Sequence, residues 1–76
     1  MNRYQLLKNN EDIIFQFVKN GILSYQAIRD ISIYERYNEL DDVNNNQLKY
    51  IILSEEFDLS EKTIERIIYQ MNRVTT

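Results

Sequence analysis

The chain predicts an all-α fold, a small bundle of about four helices, and three observations lead there. It has no proline and a single glycine, Gly21, so the residues that most often interrupt helices are almost missing. Apolar residues recur three and four apart, which is the period of one helical face. No stretch alternates with period two for long enough to argue a strand. With 76 residues, the whole chain (1–76) reads as one domain.

The elements follow in order. Residues before Asn9, with Tyr4, Leu6 and Leu7, add a short helical turn. Asn10 is placed to cap the first main helix, with Glu11 and Asp12 in the turn where the helix dipole favours negative charge. Ile13, Ile14, Phe17 and Val18 make its apolar face, and Gly21 stops it. Ser24 is the expected cap of the second helix, which runs to about Leu40. Ala27, Ile28, Ile31, Tyr34 and Tyr37 form its stripe, leaving Arg29, Asp30, Glu35, Arg36 and Glu39 to solvent. A polar break from Asp41 to Asn46 supplies turn residues. The third helix covers roughly Asn46 to Phe57 and the fourth Glu61 to about Arg73.

Composition excludes more than it assigns. Without cysteine or histidine there are no disulfides, no thiolate nucleophile, no imidazole base and none of the usual zinc ligands. Asp42, Asn44 and Asn46 are spaced like the opening of a calcium loop. The glycine and the bidentate glutamate it requires are Gln47 and Leu53 instead. The carboxylate pairs Asp41-Asp42 and Glu55-Glu56 lie on polar faces with no apolar pocket to shift a pKa, so an enzyme is not expected. No cofactor and no small-molecule substrate are implied. The longest apolar run, Tyr50 to Leu53, is far too short for a bilayer, and no signal peptide is visible, so a cytoplasmic protein is expected. The net charge of −3 is unevenly spread. From Asp30 to Asp58 eight acids face only Arg36 and Lys49, a balance of −6; Ser60 to Thr76 carries +1, and Arg3 and Lys8 add +2.

The informative segment is the corner between the third and fourth helices. Leu53 and Phe57 are spaced as the anchors of the helix entering it, and Ser54 is small enough for a close crossing. Asp58 falls where the backbone needs positive φ, a conformation aspartate tolerates at modest cost. Leu59 turns back into the core, Ser60 caps the next helix, and Ile64, Ile67, Ile68 and Met71 continue the stripe. The run Leu53-Ser54-Glu55-Glu56-Phe57-Asp58-Leu59-Ser60-Glu61-Lys62-Thr63-Ile64-Glu65-Arg66-Ile67 resembles the helix-turn-helix of bacterial and phage regulators. Similar motifs occur in homeodomain-like regulators, sigma-factor region four and phage activators of the Mor type. Serine stands where that pattern has alanine, and aspartate where it has glycine. The motif spans about residues 46–73.

The resemblance implies sequence-specific binding of double-stranded DNA in transcription regulation, with the last helix in the major groove. Ser60, Glu61, Lys62, Glu65, Arg66 and Tyr69 would then face base edges or groove walls. Ser60 and Thr63 would donate to phosphate near the helix N-terminus. Arg66 is the expected base contact, since a guanidinium engages guanine bidentately, and Lys62, Gln70 and Arg73 suit the DNA backbone. Glu61 and Glu65 oppose phosphate unless they accept from cytosine. The acidic balance raises an alternative from a different class, a protein–protein adaptor that uses the same fold without binding DNA. A core this small, six tyrosines, and a second helix whose Tyr34 and Tyr37 beside Ile31 and Ile33 point in more directions than a single stripe needs lead to the expectation of a homodimer. It is expected through the first two main helices, with the last helices about one DNA turn, ~34 Å, apart.

Overall fold

The computed structural model describes residues 1–73, and among these five helices form and no strand. They are α1 (Arg3–Asn9), α2 (Glu11–Lys19), α3 (Gln26–Glu39), α4 (Asn46–Phe57) and α5 (Glu61–Asn72). The four helices expected from the sequence are α2 to α5. The short turn before Asn9 is a helix in its own right. Asn2 caps it by accepting from the Gln5 amide at 2.8 Å, while Gln5 Oε1 accepts from the Asn2 amide at 2.9 Å. This reciprocal pair satisfies two donors that a helix start otherwise leaves open. The Arg3 amide then donates to the Arg73 carbonyl at 2.8 Å, joining the start of α1 to the end of α5.

Two expected caps are differently made. Asn10 stands before α2, but its side chain turns back and donates to the Leu6 carbonyl at 2.8 Å, so it closes α1 instead of capping α2. Ser24 makes no capping bond. Helical geometry already begins at Tyr25 (φ −64°, ψ −15°), and no side chain satisfies the amides that follow. Gly21 does stop α2. At φ +75° its amide meets the Val18 carbonyl and that of Ile22 the Phe17 carbonyl, the paired closure that a left-handed residue permits.

The core gathers on α5. Ile64, Ile67, Ile68 and Met71 are buried with Leu53 of α4, with Ile31, Ile33 and Tyr34 of α3, and with Leu40 just beyond it. Tyr4, Leu7, Tyr37, Val43, Tyr50, Ile52, Phe57 and Leu59 cover its edges. α3 packs against all four other helices, which explains why its apolar residues exceed one stripe. Ile33 is wholly buried inside this one molecule. The surplus on α3 therefore gives no reason to place that helix in a dimer interface.

Charged residues on α3 read as solvated instead tie helices together. Glu35 accepts from the Tyr4 hydroxyl at 2.8 Å and pairs with Lys8 at 3.1 Å. The Tyr4 hydroxyl, helped by Lys8 and opposed by partial burial, holds the Glu35 carboxyl below its ordinary range. Arg36 grips Glu56 of α4 with Nε and Nη2 at 2.9–3.2 Å and also meets Glu39, which holds Glu56 below the usual carboxylate range. Arg29 pairs with Asp30 at 3.0 Å. No helix among the described residues is long and apolar enough to cross a membrane.

Candidate functional site

The corner between α4 and α5 positions the candidate residues. Asn45 starts α4 by accepting from the Gln47 amide at 2.9 Å. α4 ends at Asp58, the one described non-glycine residue with positive φ (φ 55°, ψ 48°). The Leu59 amide reaches the Ser54 carbonyl at 3.1 Å, and the half-buried Leu59 packs against the core. Ser60 is extended (φ −68°, ψ 154°) and accepts from the Thr63 amide at 3.1 Å, so α5 leaves at a fixed angle. Each step is local chemistry: an αL residue, an apolar anchor and a cap.

α5 divides sharply by side. Its inner face is the buried set Ile64, Ile67, Ile68 and Met71. On its outer face Lys62, Glu65, Arg66 and Tyr69, at i, i+3, i+4 and i+7, line one shallow furrow, and all four are exposed. Tyr69 is 70 % exposed, unusual for a side chain that size. Six of the nine candidate residues fit one approach surface: these four with Ser60 and Glu61 at the exposed start of the helix.

The other three are held differently. Thr63 is half-buried, and its hydroxyl lies 2.8 Å from that of Ser60. That contact uses one of the two hydroxyl protons, leaving one for a ligand. Gln70 faces away, lining a recess of about 370 Å³ with Arg3, Leu7, Asp30, Ile67 and others between α1, α3 and α5. Arg73 lies one residue past α5 with an extended backbone (φ −64°, ψ 133°), its carbonyl occupied by Arg3. The sequence reading left out Gln47 and Arg3. Gln47 Nε2 donates to Glu61, bracing the start of α5 from α4, and the Arg3 amide ties the start of α1 to the Arg73 carbonyl. No local pattern in the sequence signals either one.

The cations are unequally engaged. Acids hold Lys8, Arg29 and Arg36, and Lys49 lies 4.8 Å above the Tyr37 ring. Arg3, Lys19, Lys62, Arg66 and Arg73 have no ion pair among the described residues. Two of these five, Lys62 and Arg66, are on α5, and Arg73 follows it. In the acidic middle segment Asp30, Glu35, Glu39 and Glu56 are paired, with Arg36 shared between two of them and Lys8 shared with Glu11, so the segment stays net negative. Neither protein-family models, nor curated proteins, nor solved structures give a match to this chain.

Proposed function

We propose that the protein binds double-stranded DNA as a helix-turn-helix domain, laying the outer face of α5 in the major groove, and acts in bacterial or phage transcription regulation. The observation that carries this reading is the division of α5: one side is anchored by four buried side chains, and the other presents Lys62 and Arg66 exposed and without ion pairs among the described residues. A rigid helix with an uncommitted guanidinium is what base-edge recognition requires. The left-handed Asp58 and the Ser60 cap support it by fixing the angle of α5 against α4. Arg66 is the base-reading residue. Lys62 and the free hydroxyl proton of the Ser60–Thr63 pair hold phosphate, with Arg73 at the far end. Glu65 opposes phosphate at every sequence alike and discriminates only by accepting from a base-edge donor such as the cytosine amine. The reading involves no catalytic step and no cofactor.

Selection from randomised duplexes at low salt tests it. A preferred site should emerge, and Arg66→Ala should weaken binding there by about 1–3 kcal/mol and relax the preference at one base pair. Lys62→Ala should weaken all sequences alike and reduce the salt slope by about 1. Recovery of no preferred sequence would sink the reading. A second reading, a protein-docking adaptor, is favoured by a different part of the molecule, the exposed apolar side chains in and after α2. It expects DNA binding to be absent and Arg66→Ala to be silent.

A further inference from the structure

α1, α3 and α5 leave between them a recess of about 370 Å³, within the size range of small-molecule sites. Each of the three helices turns an apolar and a polar side chain into it, one turn apart. α1 supplies Leu7 and Arg3, α3 supplies Ala27 and Asp30, and α5 supplies Ile67 and Gln70. Ile67 is buried and Leu7 and Ala27 are half-buried, whereas Arg3 is exposed, so the apolar groups lie deeper than the guanidinium. Ala27 is the sole alanine of the chain, and the recess opens where α3 carries this short side chain. An apolar floor with a few polar groups above it is the usual build of a small-molecule site.

The two charges on the recess indicate the class of occupant. The Asp30 side chain is 23 % exposed, and Arg29 donates to it with Nε and Nη2, both to the single oxygen Oδ1, at 3.2 and 3.0 Å. Asp30 is thereby held in place while its Oδ2 has no hydrogen-bond donor among the described residues. Arg3 has neither an ion pair nor a side-chain hydrogen bond among the described residues, and its long exposed stem is free to swing over the mouth. The two do not pair with each other. An anion alone would meet the Asp30 carboxylate, and a cation alone would meet Arg3; an occupant with both signs complements each. A free α-amino acid carries both on one carbon, with its side chain left for the floor. We propose that the recess binds an apolar α-amino acid. Its carboxylate lies on the Arg3 guanidinium, its ammonium donates to Asp30 Oδ2, and its side chain packs on Leu7, Ala27 and Ile67. The proposal does not rest on groove reading, and its test involves no DNA.

Titration of the full chain with L-leucine and with L-phenylalanine at neutral pH, followed by the methyl resonances of Leu7, Ala27 and Ile67, tests it. At least one of the two should give saturable shifts there. The N-acetyl derivative of that amino acid lacks the ammonium and its amide lacks the carboxylate. Each should bind about tenfold more weakly, the loss expected of one charge-assisted contact. Arg3→Gln should weaken the amino acid about tenfold and leave its amide unchanged; Asp30→Asn should weaken it similarly and leave the N-acetyl derivative unchanged. Ala27→Leu, which fills the recess, should abolish the shifts with helical circular dichroism unchanged. No saturable shift with either amino acid overturns the proposal, as do derivatives that bind as well as the parent. Losses in Arg3→Gln that extend equally to the amide, or in Asp30→Asn that extend equally to the N-acetyl derivative, also overturn it.

Discussion

α2 and α5 are both amphipathic helices with acid in the first turn, yet they end in opposite situations. α5 buries four side chains and packs against α1, α3 and α4. α2 buries only Ile14, a residue outside the main core cluster, and touches only α1 and α3. Amphipathicity alone does not decide burial; the number of neighbours does. α5 has three neighbours and spends its apolar face inside the molecule, which frees its polar face for a ligand. α2 sits at the periphery, and Ile13, Phe15 and Phe17 stay exposed. The same pattern therefore gives a firmly scaffolded helix in one place and a peripheral helix with exposed apolar side chains in the other.

The largest expected effect lies on α5. Ile67→Ala, at a site 2 % exposed, should destabilise the fold by about 2–5 kcal/mol in chemical denaturation. A loss under about 1 kcal/mol would mean that α5 is not the centre of the core. Asp58→Gly acts at the corner that aims this helix. It should be neutral or stabilising by up to about 1 kcal/mol, because glycine accepts φ 55° without strain. A clearly lowered melting temperature would mean that the aspartate does something beyond the turn.

The contact of α1 with α3 is read by acid. Glu35 has its folded-state pKa depressed below 4.5, so its contribution to stability is present above that pH and fades as pH falls through the lower folded value. Glu35→Gln should therefore melt below the wild type at neutral pH, and the gap should close in acid. A gap independent of pH would refer the effect to packing. The smallest effect should come from α2: Ile13→Ala, at an exposed site, should change stability by about 0.5 kcal/mol or less. An effect near that of Ile67→Ala would abolish the contrast between the two helices.

The parts legible in the sequence are those set by near neighbours in the chain. The Leu53–Phe57 pair, the left-handed Asp58, the Ser60 cap and the burial of Ile64 and Ile67 all follow from spacing within about fifteen residues. The parts missed depend on contacts distant in sequence. Glu35 reads as solvated until α1 brings Tyr4 to it across 31 positions. Ile33 looks surplus until four helices surround α3. Asn10 has the chemistry of a cap for α2, but α1 ends one residue earlier and offers the Leu6 carbonyl first. In the candidate site, six of nine residues share the outer approach, because helical periodicity alone places them. Thr63 is half-buried, Gln70 faces away into the recess beside α1 and α3, and Arg73 lies past the end of the helix.

The central claim is that the outer face of α5 meets DNA. Titrating the labelled protein with its selected duplex, followed by backbone amide and side-chain resonances, tests it most directly. The expected result is perturbation concentrated at Ser60, Lys62, Arg66 and Tyr69, with Ile13, Phe17 and Ile22 unmoved. Perturbation confined to α2 and its following loop, or resonances that shift uniformly and vanish with modest salt, would contradict it.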